Sequence, residues 1–318
     1  MEFILYLIIG FAILIVAGDL LVRGSVSVAE HFGIPSIVIG LTIVAFGTSA
    51  PELVISLKAA LNGHGGISIG NVVGSNIANI LLVLGLPALI KAIPCGGVGS
   101  ARNAGFMIVV TGIFIVCCFY QPFTYIHGII LLFLLAVFLT DSVIFSRKQR
   151  ALGIAIEDPL DEIEGRTDNL TLAGVFLVIG LIGLPIGGHL AVNGAIGIAT
   201  LLGVSKTAIA LSVVAIGTSL PEVVTAIIAA RKGHMELAMG NVIGSNVFNI
   251  LAIIGTTALV TPIYTPERIQ QFDLWVMAGT SAFLLPFVFR CIPISRRIGV
   301  MMLLSYLFYL FMVFKLEV

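Results

Sequence analysis

Charged residues are scarce in this chain of 318 residues, of which only 10% are Asp, Glu, Lys or Arg. A soluble globular domain carries about 25% charged residues, so this scarcity excludes that class. In their place, 59% of the residues are hydrophobic, and apolar runs of about 20 residues recur along the sequence. Such runs are long enough to cross a bilayer, and the composition therefore predicts an integral membrane protein.

The sequence also lacks the patterns of several other classes. No basic run resembles a nucleic-acid surface, and the N-terminus has neither a basic region nor a cleavage site, which indicates a membrane helix rather than a signal peptide. The four cysteines have no metal-ligand or redox spacing; they are Cys95, Cys117, Cys118 and Cys291. We expect all four to serve as small apolar side chains.

Ten apolar segments can be counted, each located to within a few residues. They lie near residues 3–22, 34–60, 67–90, 104–119, 123–145, 170–192, 204–230, 236–260, 272–290 and 298–316. The pattern predicts an all-α polytopic membrane protein with ten transmembrane helices in one membrane domain. Residues 1–145 are expected to form a first five-helix repeat, residues 146–169 a cytoplasmic connector, and residues 170–318 a second five-helix repeat.

An internal repeat supports this division. Residues 70–80, GNVVGSNIANI, align with residues 240–250, GNVIGSNVFNI, at an offset of 170, and eight of these eleven positions are identical. The same offset aligns GTSAPE at residues 47–52 with GTSLPE at residues 217–222. Because each half has an odd number of segments, the second half enters the membrane from the opposite side. The halves are therefore expected to be inverted repeats.

The basic residues predict the orientation of the chain. With the N-terminus outside, twelve of the 16 Lys and Arg residues fall on the inner side, namely Arg23, Lys91, Arg102, Arg147, Lys148, Arg150, Arg166, Arg231, Lys232, Arg290, Arg296 and Arg297. The outer side keeps Lys58, Lys206, Arg268 and Lys315. This asymmetry follows the positive-inside rule, so we expect a multi-pass protein of the plasma (inner) membrane with both termini outside.

A glutamate lies inside an apolar segment of each half, at Glu52 and Glu222. A charge in hydrocarbon costs several kcal/mol unless it is paired, so two glutamates in equivalent places indicate a shared ion site. Each glutamate follows a proline, which removes one backbone hydrogen bond and frees the carbonyl four residues before the proline. These carbonyls belong to Gly47 and Gly217.

Other oxygen-bearing side chains recur at helical spacing near the glutamates. They are Thr48, Ser49, Ser75 and Asn79, with the equivalents Thr218, Ser219, Ser245 and Asn249. Small-xxx-small glycine pairs would let the helices approach closely enough for these side chains to converge; they are Gly70 with Gly74 and Gly240 with Gly244. Oxygen ligands suit Ca²⁺, Na⁺ or Mg²⁺ rather than zinc or copper, and Mg²⁺ fits a dry protein cage less well.

With these motifs, the chain resembles the cation/calcium antiporter superfamily, in particular its prokaryotic sodium/calcium exchangers. The resemblance implies that Glu52 and Glu222 are the main Ca²⁺ carboxylates, joined by the carbonyls of Thr48 and Thr218. It also implies Na⁺ sites that share these glutamates and add Ser49, Ser75, Ser219, Ser245 and the carbonyls of Ala45 and Ala215. Asn79 matches a polar family position, whereas Asn249 stands where many relatives have aspartate, which implies an exchanger that does not depend on potassium.

The resemblance further implies exchange of three Na⁺ for one Ca²⁺ by alternating access, with one net charge moved in each cycle. No cofactor is expected, since Ca²⁺ and Na⁺ are the transported substrates. The other partner is the lipid bilayer, and neither nucleic acid nor an obligate protein partner is indicated. Alternation is expected from sliding of segments one and six, which have glycine breaks at Gly18 and at Gly187-Gly188.

Three other functions share some of these features. A Ca²⁺/H⁺ exchanger would use the glutamates as proton carriers, an intramembrane hydrolase would use them as paired acids, and a channel is compatible with the composition. A hydrolase would need an activated water or nucleophile, whereas these acids lie among cation-ligand oxygens, so the sequence favours a transporter over an enzyme. A gradient of Na⁺ or of pH that drives calcium uptake would separate the two exchangers.

Overall fold

The computed structural model describes residues 2–34, 36–94, 99–120, 122–151, 167, 169–203 and 215–317. Within these ranges the chain is helical, and the β contacts are two isolated antiparallel bridges, Ile93 with Ile294 and Phe123 with Ile263. Most of the predicted connector at 146–169 lies outside the described residues, as does the first part of the segment predicted at 204–230.

The helices are numbered α1 to α12 in chain order. They are α1 (Glu2–Phe32), α2 (Ile37–Thr48), α3 (Ala50–Leu61), α4 (Gly65–Ile90), α5 (Ser100–Phe119), α6 (Tyr125–Ala151), α7 (Leu170–Leu201), α8 (Ala215–Thr218), α9 (Leu220–Arg231), α10 (Met235–Val260), α11 (Ile269–Phe289) and α12 (Arg296–Glu317). Eight are long and apolar enough to cross a bilayer, and the bent pair of α2 and α3 makes up to nine spans. The predicted all-α membrane fold is confirmed, while the tenth span stays a prediction because residues 204–214 are not described.

Three helices run further than their apolar segments predict. α1 continues from the predicted residue 22 to Phe32, α7 from 192 to Leu201, and α6 from 145 to Ala151. The charged residues Asp19 and Arg23 interrupt the apolar run, so the sequence predicts too early an end for the first segment. In α1 these residues are paired within the helix, since Arg23 Nε lies 2.6 Å from Asp19 Oδ2. A helix carries a charged pair of this i, i+4 spacing without interruption.

The order of elements repeats between the halves. α3 and α9 are each twelve residues long and each begins directly after a serine, at Ser49 and Ser219. α4 and α10 each contain a π-helical segment, Asn79–Val83 in the first and Asn249–Ile254 in the second. π-helical turns inside α-helices are frequent at functional sites, and both of these start at an asparagine that the sequence singles out.

α1 and α7, the first helices of the two halves, pack antiparallel to each other. Gly24 near the end of α1 faces Leu177 near the start of α7, whereas Gly10 near the start of α1 faces Ala191 in the later part of α7. A methyl group on Gly24 would lie 2.8 Å from Leu177 N, so glycine is what allows this approach. Small residues are the usual means of close helix packing in membranes.

The predicted breaks at Gly18 and Gly187-Gly188 are wrong, because α1 and α7 are continuous through them. These glycines serve packing instead. A methyl group on Gly18 would lie 2.8 Å from Ile228 Cδ1, and one on Gly187 would lie 2.9 Å from Leu14 N. Glycine is common inside membrane helices, where close packing against a neighbour offsets its low helix propensity.

The predicted close approach through glycine pairs is present for Gly240 and Gly244 of α10. A methyl group on Gly244 would lie 2.6 Å from the carbonyl oxygen of Leu41 in α2, so these two helices are in backbone contact. Gly74 of α4 has no described residue within 4 Å of such a methyl group. The residue equivalent to Leu41 in the second half is Leu211, which lies outside the described residues.

One cysteine departs from the expectation that all four are small apolar side chains. Cys291 is disulfide-bonded, and its backbone has a φ of 55°. Cys117 and Cys118 are free, and Cys95 lies outside the described residues. The expectation is therefore wrong for Cys291, since sequence spacing alone does not show which cysteines form disulfides.

Candidate functional site

The two GTS-x-PE motifs form matching helix interruptions. α2 ends at Thr48 and α3 begins at Ala50 with a bend of 43° between them. Ser49 between them has φ −84° and ψ 1°, and Ser219 repeats this with φ −88° and ψ 3°. Pro51 and Pro221 lie in the first turn of α3 and α9, where a missing backbone N–H leaves no hydrogen bond unmade.

The polar side chains at each interruption do not form hydrogen bonds with one another. Ser49 precedes α3 and Glu52 lies in its first turn, the positions of a capping pair, yet the side chain of Ser49 makes no cap hydrogen bond. Among the described residues, Ser49 Oγ and both carboxylate oxygens of Glu52 have no hydrogen-bond partner. Ser219 Oγ and Glu222 Oε2 repeat this in the second half.

The two glutamates meet in one buried place. Glu52 and Glu222 are each 1% exposed, and their carboxyl groups interact electrostatically. The hydroxyls of Thr48 and Ser49 lie within electrostatic range of the Glu222 carboxyl, so the first interruption faces the second. A buried carboxylate is strongly destabilising unless a positive charge compensates it, and this arrangement therefore calls for a cation.

A polar network joins α2 to α10 beside the glutamates. Thr48 Oγ1 lies 3.2 Å from Asn241 Oδ1 and 3.5 Å from Ser245 Oγ. Ser245 Oγ in turn donates to Asn241 Oδ1 at 3.4 Å, and all three side chains are fully buried. Asn241 was not among the predicted site residues. The signal that could have identified it is its identity with Asn71 in the internal repeat.

Asn79 and Asn249 are the first residues of the two π-helical segments. Each is 1% exposed and donates its amide N–H across the interface between the halves. Asn79 Nδ2 donates to Asn246 Oδ1 at 3.0 Å, and Asn249 Nδ2 donates to Asn76 Oδ1 at 2.9 Å. The Oδ1 atoms of Asn79 and Asn249 have no partner in the described part of the chain, which leaves two amide oxygens available to a ligand.

The remaining predicted residues lie on α2, α4 and α8. Ser75 is 6% and Thr218 is 9% exposed, and Ala45 is fully buried. The carbonyl of Ala45 accepts from Ser49 N at 3.0 Å and from Thr48 Oγ1 at 3.4 Å. Ala215 begins α8, four residues before the second interruption.

The donors gathered here are carboxylate, hydroxyl, amide and carbonyl oxygens. Such a set suits hard cations, and Ca²⁺ in particular takes six to eight oxygens at about 2.3–2.6 Å. Within the described ranges, no three His, Cys, Asp or Glu residues group together as in a zinc or copper site. Two carboxylates surrounded by neutral oxygens match a cation of low or moderate charge.

Comparisons with known proteins agree with this chemistry. A family profile described as "Sodium/calcium exchanger protein" matches residues 2–143 and 172–315. The sodium/calcium exchanger MaX1 of Methanosarcina acetivorans is 32% identical over 345 residues, covering 98% of each chain. The inner membrane protein YrbG of Escherichia coli (strain K12) is 34% identical over 314 residues, covering 98% of this chain and 96% of the relative.

The fold is similar to that of a solved exchanger. A structure of the sodium-calcium exchanger NCX_Mj, soaked with Na⁺ and Sr²⁺, aligns with a TM-score of 0.83 at 32% identity, covering 96% of this chain and 97% of that chain. The family profile matches well over half of the residues, and it does so in the same two halves that the internal repeat defines. The chain therefore belongs to the sodium/calcium exchanger family.

Proposed function

We propose that the chain is a secondary active antiporter that exchanges Na⁺ for Ca²⁺ through one buried site. The observation that carries this proposal is the meeting of Glu52 and Glu222, two buried carboxyls from different halves. Their charge needs a cation, and the oxygens around them favour Na⁺ and Ca²⁺. Relatives named as sodium/calcium exchangers support the same assignment. The chain acts as a transporter rather than an enzyme, and the ions are its substrates.

Each polar residue has a role in this proposal. Ca²⁺ binds between the carboxylates of Glu52 and Glu222 and the carbonyls of Thr48 and Thr218. Na⁺ binds to the same carboxylates and to flanking oxygens, which come from Ser49, Ser75, Ser219 and Ser245 and from the carbonyls of Ala45 and Ala215. Asn79 and Asn249 add neutral amide oxygens. Because Asn249 contributes no charge, exchange is independent of potassium.

The charge of the site explains the coupling. Two carboxylates offset one Ca²⁺, whereas three Na⁺ leave one excess positive charge, so exchange at this ratio is electrogenic. An empty site would carry two uncompensated charges through the membrane, at a cost of several kcal/mol each. Crossing without cargo is therefore disfavoured, and the two ion fluxes are linked.

The proposed architecture has ten transmembrane helices in two inverted five-helix repeats, residues 1–145 and 170–318, joined by a cytoplasmic connector at 146–169. The antiparallel packing of α1 and α7 supports this inversion, because equivalent helices of inverted repeats run in opposite directions. We place the protein in the inner membrane with both termini outside, on the distribution of Lys and Arg. One relative is named an inner membrane protein.

The function is tested by ⁴⁵Ca²⁺ uptake into vesicles that contain the purified protein and are loaded with Na⁺. We expect uptake to follow the outward Na⁺ gradient and to fall at least about 100-fold in Glu52→Gln, since an uncompensated charge in a buried pair costs about 3–5 kcal/mol. Glu2→Gln is the matched control, because Glu2 is an exposed glutamate of α1 that accepts a hydrogen bond from Tyr6 at 2.7 Å.

A Ca²⁺/H⁺ exchanger is the alternative that uses the same glutamates. Uptake driven by a pH gradient in Na⁺-free vesicles would support that function and overturn sodium coupling. Full transport by Glu52→Gln would instead overturn the site itself. Flux far above the rate of a carrier would identify a channel.

A further inference from the structure

Asn76 and Asn246 form a symmetric contact between the halves that the proposed ion ligands do not include. They occupy equivalent positions, 170 residues apart, on α4 and α10, and each is 1% exposed. Asn76 Nδ2 donates to the carbonyl oxygen of Asn246 at 3.2 Å, and Asn246 Nδ2 lies 3.5 Å from the carbonyl oxygen of Asn76. The pair therefore ties the backbones of the two helices together at one point.

The same two side chains also hold Asn79 and Asn249. Asn249 Nδ2 donates to Asn76 Oδ1 at 2.9 Å, and Asn79 Nδ2 donates to Asn246 Oδ1 at 3.0 Å. Asn76 and Asn246 thus each donate to the other's backbone carbonyl. Each also accepts a hydrogen bond from an asparagine of the opposite helix that lies about one turn beyond the contact. The second half repeats the first with the partners exchanged.

This network fixes the direction of every carboxamide in it. A reversed Asn76 amide would place its Oδ1 against the carbonyl oxygen of Asn246 and its Nδ2 against the Nδ2 of Asn249, so both contacts would become repulsive. Asn249 must then present its N–H group to Asn76 and its Oδ1 to the opposite side. Asn79 is constrained in the same way by Asn246. The Oδ1 atoms of Asn79 and Asn249 are both buried and have no hydrogen-bond partner among the described residues.

We propose that Asn76 and Asn246 are positioning residues, which hold the amide oxygens of Asn249 and Asn79 toward the bound cation without contacting it themselves. This inference rests on the proposed function, because it assumes that Ca²⁺ binds between the glutamates. It assigns each positioning residue to one amide across the interface, Asn76 to Asn249 and Asn246 to Asn79. A residue that merely stabilised the fold would not show this pairing.

The pairing is tested by equilibrium ⁴⁵Ca²⁺ binding to purified protein with Asn76→Ala in three backgrounds. In the otherwise unchanged chain we expect the Kd for Ca²⁺ to rise about tenfold, since Asn249 is then free to turn its oxygen away. In the Asn249→Ala background the same change should raise Kd less than about twofold, because the oxygen it positions is already absent. In the Asn79→Ala background, the matched control, it should again raise Kd about tenfold.

Equal effects of Asn76→Ala in the Asn249→Ala and Asn79→Ala backgrounds would overturn the inference, as would a loss of folded protein with Kd unchanged in what remains. Asn246→Ala tests the same claim with the backgrounds exchanged, and it serves if Asn76→Ala does not fold. Wild-type protein that binds no Ca²⁺ would overturn the proposed function. Wild-type binding with additive effects would overturn only the role of the asparagines.

Discussion

The hydroxyl groups of Ser49 and Ser219 are buried at the two helix interruptions without a hydrogen-bond partner in the described residues. A polar group left in this state costs about 1–3 kcal/mol relative to one that is paired. Ser68, in α4, is buried to the same degree, but its Oγ donates to the carbonyl oxygen of Ser56 at 2.7 Å. The described residues thus contain buried serines of both kinds, and the serines at the two interruptions are of the unpaired kind.

Ser49→Ala is expected to separate stability from ion binding. Because the hydroxyl forms no hydrogen bond of regular geometry and interacts only weakly with the Glu222 carboxyl, the thermal stability of the protein in Na⁺-free buffer should change little. The Na⁺ concentration that drives half-maximal ⁴⁵Ca²⁺ uptake should rise about tenfold, which corresponds to about 1.4 kcal/mol of lost Na⁺ binding. Both quantities can be measured on one preparation, by thermal unfolding and by vesicle uptake.

Ser68→Ala is the matched control and should behave in the opposite way. It removes a formed hydrogen bond, so the free energy of unfolding should fall by about 1 kcal/mol while the Na⁺ dependence of uptake stays unchanged. A Ser49→Ala protein that loses stability and keeps its Na⁺ dependence would contradict the Na⁺ role of this hydroxyl.

The sequence identifies those residues of the site that are both chemically unusual and repeated in the two halves. Glu52 and Glu222 were identifiable because a charge in an apolar segment is costly, and the structure brings them together. Asn76, Asn241 and Asn246 lie in the same repeated motif but were not singled out, because periodicity does not show which asparagine faces the opposite helix. Their directions depend on the contacts of α10 with α2 and α4, which only the three-dimensional structure supplies.

At the scale of the helices, α1 is held against α9 by charge. Lys232, directly after α9, lies 2.8 Å from Asp19 of α1, and the packing of Gly18 against Ile228 is close by. The equivalent positions in the other half are His189 and Asn62, which cannot form such an ion pair because asparagine carries no charge. His189 instead lies 2.9 Å from Asn193 of its own helix.

Lys232→Met is therefore expected to favour conformations in which α1 has moved away from α9. The side chains of this pair are partly exposed, so the pair contributes at most about 1 kcal/mol, or about a fivefold change in the ratio of the two conformations. In vesicles of known orientation, the half-saturating Ca²⁺ concentrations on the two faces should shift in opposite directions. Their ratio is the quantity to measure.

Arg102→Gln is the control for this prediction. Arg102 pairs with Asp141 at 3.2 Å, but this pair joins α5 to α6 within one half and leaves α1 untouched. Loss of this pair should leave the ratio of the two half-saturating Ca²⁺ concentrations unchanged. Equal shifts in both variants, or none in Lys232→Met, would show that the Asp19–Lys232 pair does not bias the movement of α1.

Helix existence followed from the sequence more readily than helix continuity. The length of their apolar segments predicts α1 and α7, and the glycines within them predict breaks. The structure shows both helices to be continuous. Glycine is compatible with both a helix break and close helix packing, and the presence of a neighbouring helix determines which of them occurs. The true interruptions, at Ser49 and Ser219, precede prolines in the first turn of the next helix, yet α7 continues through Pro185, so proline alone does not identify an interruption.

At the scale of the whole molecule, the contacts between the halves are reciprocal. Asn79 donates to Asn246, and Asn249 donates to Asn76. In the same way, α4 packs against α12 with Gly85 beside Gly299, and α10 packs against α6 with Gly255 beside Leu132. An exchange of partners of this kind is what two intertwined copies of one unit produce. Duplicated halves place one copy of each proposed ligand on either side of a shared centre, which suits the alternating access that we propose.

The proposed exchange of three Na⁺ for one Ca²⁺ would be electrogenic, and this is measurable. If three Na⁺ leave for each Ca²⁺ that enters, one positive charge leaves the vesicle in each cycle, so an inside-positive potential should promote Ca²⁺ uptake. A potential of 100 mV is worth about 2.3 kcal/mol for one charge, which corresponds to about a 50-fold change in the Ca²⁺ ratio at equilibrium. The measurement is ⁴⁵Ca²⁺ accumulated in Na⁺-loaded vesicles whose potential is set by a K⁺ gradient and valinomycin, with equal K⁺ on both sides as the zero-potential control. Accumulation that ignores the potential would mean electroneutral exchange, as for two Na⁺ or two protons per Ca²⁺, and the two carboxylates would then account for all of the charge that crosses.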